Sequence, residues 1–125
     1  MLIDRQNGTT EKIIQAFYSV YNELGYGFLE SVYQNALYLE FKNHRFKVES
    51  QKDIVVYYKQ QVVGKYKADF VIDNSIIVEI KTADHIAEEH EFQLVNYLKA
   101  TNIEVGLLLN FGKEAQVRRK IFDNK

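Results

Sequence analysis

The spacing of the apolar residues changes at Phe46, and this change constrains the fold more than any other feature of the sequence. Before it, apolar residues recur at helical intervals through "TTEKIIQAFYSVYNEL". Thr9 or Thr10 is the expected N-cap of this helix, and Gly25 is the expected residue just beyond its end. A second helix is predicted to run from about Phe28 to Asn43.

Beyond that point the apolar period falls to two residues, which is typical of strands. The segments "FKVES", "DIVVYYK", "QVVGKYKADFVID" and "SIIVEIKT" predict successive antiparallel strands separated by polar turns. "EEHEFQLVNYLKATN" returns to helical spacing, with either Phe92, Val95 and Leu98 or Leu94 and Tyr97 facing inward. "EVGLLLNFG" lacks alternation, so we predict a short strand buried on both faces. The order of elements predicts an α/β (α+β) fold with a mixed sheet covered by helices.

Length and composition fit one compact domain over residues 1–125, because 46% of the residues are apolar and 14% are aromatic. The absence of cysteine excludes disulfides, thiolate zinc sites and a cysteine nucleophile. No segment has the apolar stretch of a secretory signal or the roughly 20 apolar residues of a membrane span. We therefore expect a soluble, cytoplasmic protein with no membrane partner.

Charge is distributed unevenly although the formal net charge is only −1. Residues 84–91 contain four acids and no Lys or Arg, whereas residues 113–125 contain five bases and two acids. Such asymmetry can focus an electrostatic field locally. On charge alone, a solvated helix face and a fraying tail explain these two segments better.

Two carboxylates are predicted to lie opposite each other on neighbouring strands. If the turn between them consists of Asp73-Asn74-Ser75, Asp69 faces Glu79 across the pair, with Cβ atoms about 5 Å apart. Lys81 then shares their face, because side chains two residues apart project to the same side. A two-residue turn would instead place Ala68 opposite Glu79.

Carboxylates at that distance repel each other and raise each other's pKa unless a cation intervenes. The pair therefore suits Mg²⁺, which prefers oxygen ligands and is commonly held by one or two carboxylates. A neighbouring lysine could orient an attacking water or stabilise phosphate charge. Taken alone, however, "VEIK" is better explained as an ordinary half-exposed strand with Glu79 and Lys81 facing water.

Glu30 stands in the apolar stripe of the second helix, on nearly the same meridian as Leu37 and Phe41. Leu29 and Tyr33 belong to the adjacent apolar face. One interpretation is electrostatic, because an acid in the first turn of a helix is stabilised by the helix dipole, by about 0.3–1 kcal/mol. The other interpretation is functional, with Glu30 facing the sheet to complete a metal site.

Several short motifs occur together in a fixed order. They are G-x-x-E-x-x-Y at residues 27–33, Asp69, E-x-K at residues 79–81 and Q-x-x-x-Y at residues 93–97. This arrangement resembles the GxxExxY family, a branch of the PD-(D/E)XK nuclease superfamily, from about Ile13 to Gly112. The segments "LGYGFLESVYQNAL", "YKADFVID", "IIVEIKT", "QLVNYLKAT" and "GLLLNFG" carry the resemblance. The Pro-Asp of the superfamily name is Ala68-Asp69 in this chain.

The resemblance implies a restriction-endonuclease-like core, with a mixed four-stranded sheet flanked by helices. It also implies site residues. Asp69 and Glu79 would bind Mg²⁺ or Mn²⁺, Glu30 would complete or orient the metal shell, and Lys81 would assist the water nucleophile. Two further residues, Gln93 and Tyr97, would lie near the metal and the scissile phosphate, on one face of their helix.

The resulting functional prediction is a Mg²⁺-dependent nuclease that hydrolyses phosphodiester bonds, in DNA more readily than in RNA. The alternative is a non-catalytic module of the same fold that binds nucleic acid or protein, with homodimerisation as one option. Intact Asp69, Glu79 and Lys81 favour the first, because a retired site has no physical reason to keep mutually repelling acids. Near-neutral charge and small size favour the second, since little surface remains for a wide DNA-binding channel.

Overall fold

The computed structural model describes residues 2–123, with side chains described from Asn7 onward. Its helices are α1 (Leu2–Leu24), α2 (Glu30–Asn43) and α3 (Glu88–Lys99). The predicted N-cap of α1 is wrong, because the helix already begins at Leu2 and Thr10 is buried within it. The predicted end is confirmed: Gly25 has a φ of +69° and its N–H donates to the Tyr21 carbonyl at 2.8 Å.

The strands are β1 (Val48–Tyr58), β2 (Gln61–Ile72), β3 (Ile76–Lys81), β4 (Val105–Phe111) and β5 (Ala115–Ile121). They form one sheet in the order β1-β2-β3-β4-β5. The β3–β4 pair is parallel and the other pairs are antiparallel, so the predicted mixed sheet is confirmed. "FKVES" and "DIVVYYK" contribute to a single strand, β1, which is interrupted locally at Gln51, where φ is +53°.

The sheet has five strands, so the predicted number of four is wrong. The additional strand, β5, lies in the basic segment that was expected to be a fraying tail; residues 124–125 of that segment lie outside the described part. Val117 packs against the core, and Lys120 forms a 2.6 Å salt bridge with Glu91 of α3. The basic segment thus contacts the acidic one.

Two apolar layers hold the helices on opposite faces of the sheet. α1 and α2 cover one face, where Phe17, Leu37 and Phe41 pack against β2, β3 and β4. α3 covers the other face through Leu94 and Leu98, among others. All seven residues of β4 are buried, which confirms the prediction of a strand covered on both sides.

The inward face of α3 consists of Leu94, Tyr97 and Leu98, while Phe92 is 60% exposed. Of the two predicted inward faces, the one containing Leu94 and Tyr97 is therefore confirmed. In the part of the chain that is described, no helix combines the length and apolarity needed to cross a membrane.

Candidate functional site

The turn between β2 and β3 sets the register of the candidate site. Asp73 and Asn74 adopt positive φ values of 52° and 54°, and the Ser75 N–H donates to the Ile72 carbonyl at 2.9 Å. Ile72 pairs with Ile76. The predicted three-residue turn is therefore confirmed, and the two-residue alternative is wrong.

The backbone pairing of β2 with β3 runs from Ile72–Ile76 to Phe70–Val78 and stops just before the two carboxylates. Beyond it, side chains replace backbone carbonyls as acceptors. The Asp69 N–H donates to Glu79 Oε2 at 2.6 Å, and the Ile80 N–H donates to Asp69 Oδ2 at 2.8 Å. The two carboxylates thus lie between the strands, and each is anchored by a backbone donor of the opposite strand.

Both carboxylates have pKa values above their ordinary range. Burial, followed by the charge of Asp69, raises the pKa of Glu79 to about 8, and only 4% of Glu79 is exposed. Burial also raises the pKa of Asp69, although the Ile80 N–H, Gln51 and Lys81 oppose the shift. Without a cation this pair tends to retain a proton at neutral pH.

Glu30 is the first residue of α2 and lies near the pair, but its side chain remains exposed. Partial desolvation, followed by the charge of Asp69, raises its pKa, while Lys81 acts in the opposite direction. Among the described side chains, those of residues 7–123, no three His, Asp or Glu side chains converge closely enough to hold a metal ion. The structure therefore brings Asp69 and Glu79 together and leaves Glu30 at the edge of the site.

The predicted apolar stripe of α2 is partly confirmed. Tyr33, Leu37 and Phe41 are buried on the helix face that leads to Glu30. Leu29, which was expected to share the apolar face, is 77% exposed. It precedes the helix in extended conformation, with a ψ of 152°, so helical spacing does not apply to it.

Lys81 and Gln93 are in contact across the sheet–helix boundary. Lys81 Nζ donates to Gln93 Oε1 at 3.4 Å, and both side chains are partly buried. The charge of Lys81 acts on the pKa of Asp69, Glu79 and Glu30. Gln93 therefore holds the ammonium group on the side of α3, close to the carboxylates.

Tyr97 lies one turn after Gln93 and packs against Tyr66, with 5.7 Å between the ring centroids. Burial, followed by the charges of Glu79 and Asp69, raises its pKa to about 12. Its hydroxyl therefore stays protonated at neutral pH and can act as a hydrogen-bond donor beside the carboxylates.

Sequence reasoning missed two glutamines that contact Asp69. Gln51 Nε2 donates to Asp69 Oδ1 at 3.4 Å, and Gln34 Nε2 donates to the Asp69 carbonyl at 3.2 Å. Gln34 directly follows the G-x-x-E-x-x-Y motif and could have been suspected from that position. Gln51 carries no such signal, because its placement depends on a local break in β1 where its own φ is positive.

Comparison with known proteins identifies the group to which this arrangement belongs. A sequence model of the PD-(D/E)XK nuclease superfamily matches residues 7–121. A solved structure titled "Crystal structure of SSO0001" superposes with a TM-score of 0.60 at 21% identity, covering 98% of this chain and 64% of that one. The chain thus spans less than two thirds of the length of that protein. Together with the family match, this likeness shows a restriction-endonuclease-like fold. No curated protein matches significantly. Because the family model covers most of the sequence, the chain belongs to the PD-(D/E)XK nuclease superfamily.

Proposed function

We propose that this chain is a Mg²⁺-dependent nuclease that hydrolyses phosphodiester bonds in nucleic acid, with DNA as the preferred substrate. One observation carries the proposal: Asp69 and Glu79 lie between two strands, each held by a backbone N–H, with Lys81 beside them. Gly27, Glu30 and Tyr33 support assignment to the GxxExxY branch. We also propose that residues 1–125 form a single domain and that the protein is cytoplasmic.

The donor set fits a divalent cation. Two hard carboxylate oxygens on adjacent strands match the ligand preference of Mg²⁺ and Mn²⁺. Burial and the charge of Asp69 raise the pKa of Glu79 even though Lys81 acts in the opposite direction, and a divalent cation would supply the further positive charge that favours the ionised pair. Asp69 and Glu79 would hold the ion, and Glu30 would join them or act through water. When bound, such an ion neutralises phosphate charge and acidifies a coordinated water.

The chain's own residues supply positioning and charge. Lys81, restrained by Gln93, places an ammonium where it can orient the attacking water and stabilise negative charge developing on the phosphate. The protonated Tyr97 hydroxyl could donate to a phosphate or water oxygen. Gln34 and Gln51 hold the backbone and the side chain of Asp69. They are positioning residues, because they act through Asp69.

Metal binding is the first test of this proposal. Isothermal titration calorimetry with Mn²⁺ is expected to show saturable binding to the wild type. Asp69→Asn and Glu79→Gln should each abolish it, and Glu11→Gln, at an exposed position on α1, should leave it unchanged. Equal binding in all four proteins would contradict the assignment of the metal site.

Turnover is the second test. We expect metal-dependent cleavage of single- or double-stranded DNA that Lys81→Ala reduces by at least about 100-fold, in the range seen when one charge-stabilising group is removed. Affinity for nucleic acid should change little, because the lysine acts mainly on the transition state. A wild type that binds metal but cleaves neither DNA nor RNA would favour the non-catalytic alternative.

One observation favours that alternative. The end of the β1–β2 hairpin exposes four large apolar side chains to solvent, Tyr57, Tyr58, Val62 and Val63. Exposed apolar patches often mark interaction surfaces. Homodimerisation, one option for this alternative, can be tested by light scattering of the wild type and of Tyr57→Ser/Val62→Ser. A dimer that becomes monomeric in the variant would support a role of the hairpin in self-association.

A further inference from the structure

A small cavity lies at the carboxyl ends of the parallel strands β3 and β4, outside the carboxylate pair. Its volume is about 190 Å³, and it is lined by residues 26–28, 82–84 and 111–113. Ligands commonly bind at this end of parallel strands. This volume is several times larger than the roughly 30 Å³ that one water molecule occupies in the liquid.

Two of the segments that line the cavity are close in sequence to residues of the candidate nuclease site. Thr82 in its lining directly follows Lys81, and Phe28 precedes Glu30 by two residues. The two lining segments are thus directly connected to the residues that carry the Lys81 ammonium and the Glu30 carboxylate.

Buried polar groups behind the cavity hold two of its lining segments together. Asn110 is fully buried; its side-chain oxygen accepts the Ala83 N–H and its amide donates to the Ala83 carbonyl, both at 2.9 Å. Its amide also donates to Gln116 Oε1 at 3.2 Å. Gly112 lies so close that a Cβ there would be 2.4 Å from the Ala83 carbonyl oxygen. The 82–84 segment and the β4–β5 turn are therefore locked together.

Two tyrosine hydroxyls fix the remaining walls. Tyr33 donates to the Gly25 carbonyl at 2.6 Å and accepts from the Phe28 N–H at 3.3 Å. This holds a loop that turns through Gly27, where φ is +109°. Tyr21 donates to the Gly112 carbonyl at 2.8 Å. A cavity whose walls are fixed in advance loses little entropy when a ligand binds.

The chemistry of the lining suits a flat, neutral ring. Tyr26 is 57% exposed and Phe28 is 48% exposed, although both border the cavity. Asp84 and Lys113 contribute one charge of each sign, so the cavity is not suited to a phosphate. Aromatic side chains bind unpaired bases by stacking, and any base offers the required face.

We infer that this cavity binds an unpaired nucleobase next to the scissile phosphate, so that the enzyme acts on single-stranded or frayed nucleic acid. The inference rests on the proposed function, which it extends to a substrate class. Paired bases cannot enter, because the cavity admits a ring only when it has left the stack of a duplex.

The test compares a single-stranded DNA oligonucleotide with a blunt duplex of the same length, by fluorescence anisotropy at low salt in chelator. Tyr26→Ala/Phe28→Ala should weaken single-strand binding by about 5- to 150-fold, the loss typical of one stacked base. Duplex binding should change less than about threefold. Tyr38→Ala, at an exposed tyrosine on α2, is the matched control and should behave like the wild type.

A second readout protects the test against a folding defect. A 2-aminopurine in the oligonucleotide should lose fluorescence when it stacks in the wild type and should keep it with Tyr26→Ala, provided that circular dichroism shows an unchanged melting curve. Unchanged single-strand affinity and quenching in the variants, with cleavage intact, would overturn the base-binding inference alone. Equal losses for both DNA forms would also overturn it. A wild type that neither binds nor cleaves any nucleic acid would overturn the proposed function as well.

Discussion

Replacing Glu79 by glutamine should stabilise the metal-free protein. Glu79 is 4% exposed, and burial together with the charge of Asp69 raises its pKa to about 8. Glutamine has nearly the same shape and no charge. Its side-chain oxygen can still accept the Asp69 N–H, which donates to Glu79 Oε2 in the wild type. The substitution therefore removes the cost of a buried charge while keeping the anchoring hydrogen bond.

The magnitude follows from the two pKa values. The carboxyl titrates near 4.5 when unperturbed and near 8 in the folded protein. Between these values the folded state binds more protons than the unfolded state, so stability falls as pH rises across that window. Each pH unit costs about 1.4 kcal/mol, which gives about 3 kcal/mol at pH 7 as an upper limit. Relaxation and water entry reduce this to about 1–3 kcal/mol, or roughly 4–12 °C in Tm for a chain of this size.

The assay is thermal unfolding followed by circular dichroism in chelator at pH 5, 6, 7 and 8. As pH rises, the Tm of the wild type should fall relative to the Tm of Glu79→Gln. The difference between the two Tm values should be small at pH 5 and largest at pH 8. Glu11→Gln, at an exposed position, should stay within about ±0.5 kcal/mol of the wild type throughout. A Glu79→Gln variant that melts at or below the wild type at pH 8, or a gap that does not depend on pH, would refute the reasoning.

Three further results are expected. Excess Mg²⁺ should raise the Tm of the wild type, because binding at 100 times Kd adds about 2.7 kcal/mol to the free energy of unfolding. The Tm of Glu79→Gln should hardly change, and a wild type whose Tm does not respond to Mg²⁺ would contradict the metal site. Asn110→Ala should lower the free energy of unfolding, measured in urea, by about 2–4 kcal/mol, because it leaves the Ala83 N–H and carbonyl unpaired. A loss below about 1 kcal/mol would contradict the role given to these hydrogen bonds. Gly106→Ala should lower the free energy of unfolding by about 1–3 kcal/mol, because the added Cβ would lie 2.7 Å from Leu94 Cδ1. If this clash is the cause, adding Leu94→Val to the Gly106→Ala variant should recover part of the loss.

The core of the fold and the register of the carboxylates were predictable because they depend on local patterns. The turn Asp73-Asn74-Ser75 contains two residues that tolerate positive φ, and its length sets the register that brings Asp69 to Glu79. The uninterrupted apolar run of β4 likewise indicated burial on both faces. These signals lie within a few residues of the structure that they specify.

The features that sequence reasoning missed depend on partners distant in the chain. β5 contains three consecutive basic residues, which suggest a solvated tail, and it becomes a strand only because β4 offers an unpaired edge. The placement of Gln51 depends on a break in β1 that only the pairing with β2 reveals. Glu30 was correctly placed on the meridian of Leu37 and Phe41, but its exposure is decided by how α2 meets the sheet.

The local arrangement at Asp69 also explains why alanine can stand where the superfamily name has proline. Residue 68 lies inside β2, a strand with neighbours on both sides, and Ala68 is buried opposite Lys52 of β1. A proline there would have no backbone N–H and would be unfavourable within a strand that is paired at this position. The Asp69 carboxylate instead derives its position from the Ile80 N–H on one side and Gln51 on the other. Because these contacts come from β3 and β1, the carboxylate can be held in place without a rigid residue before it.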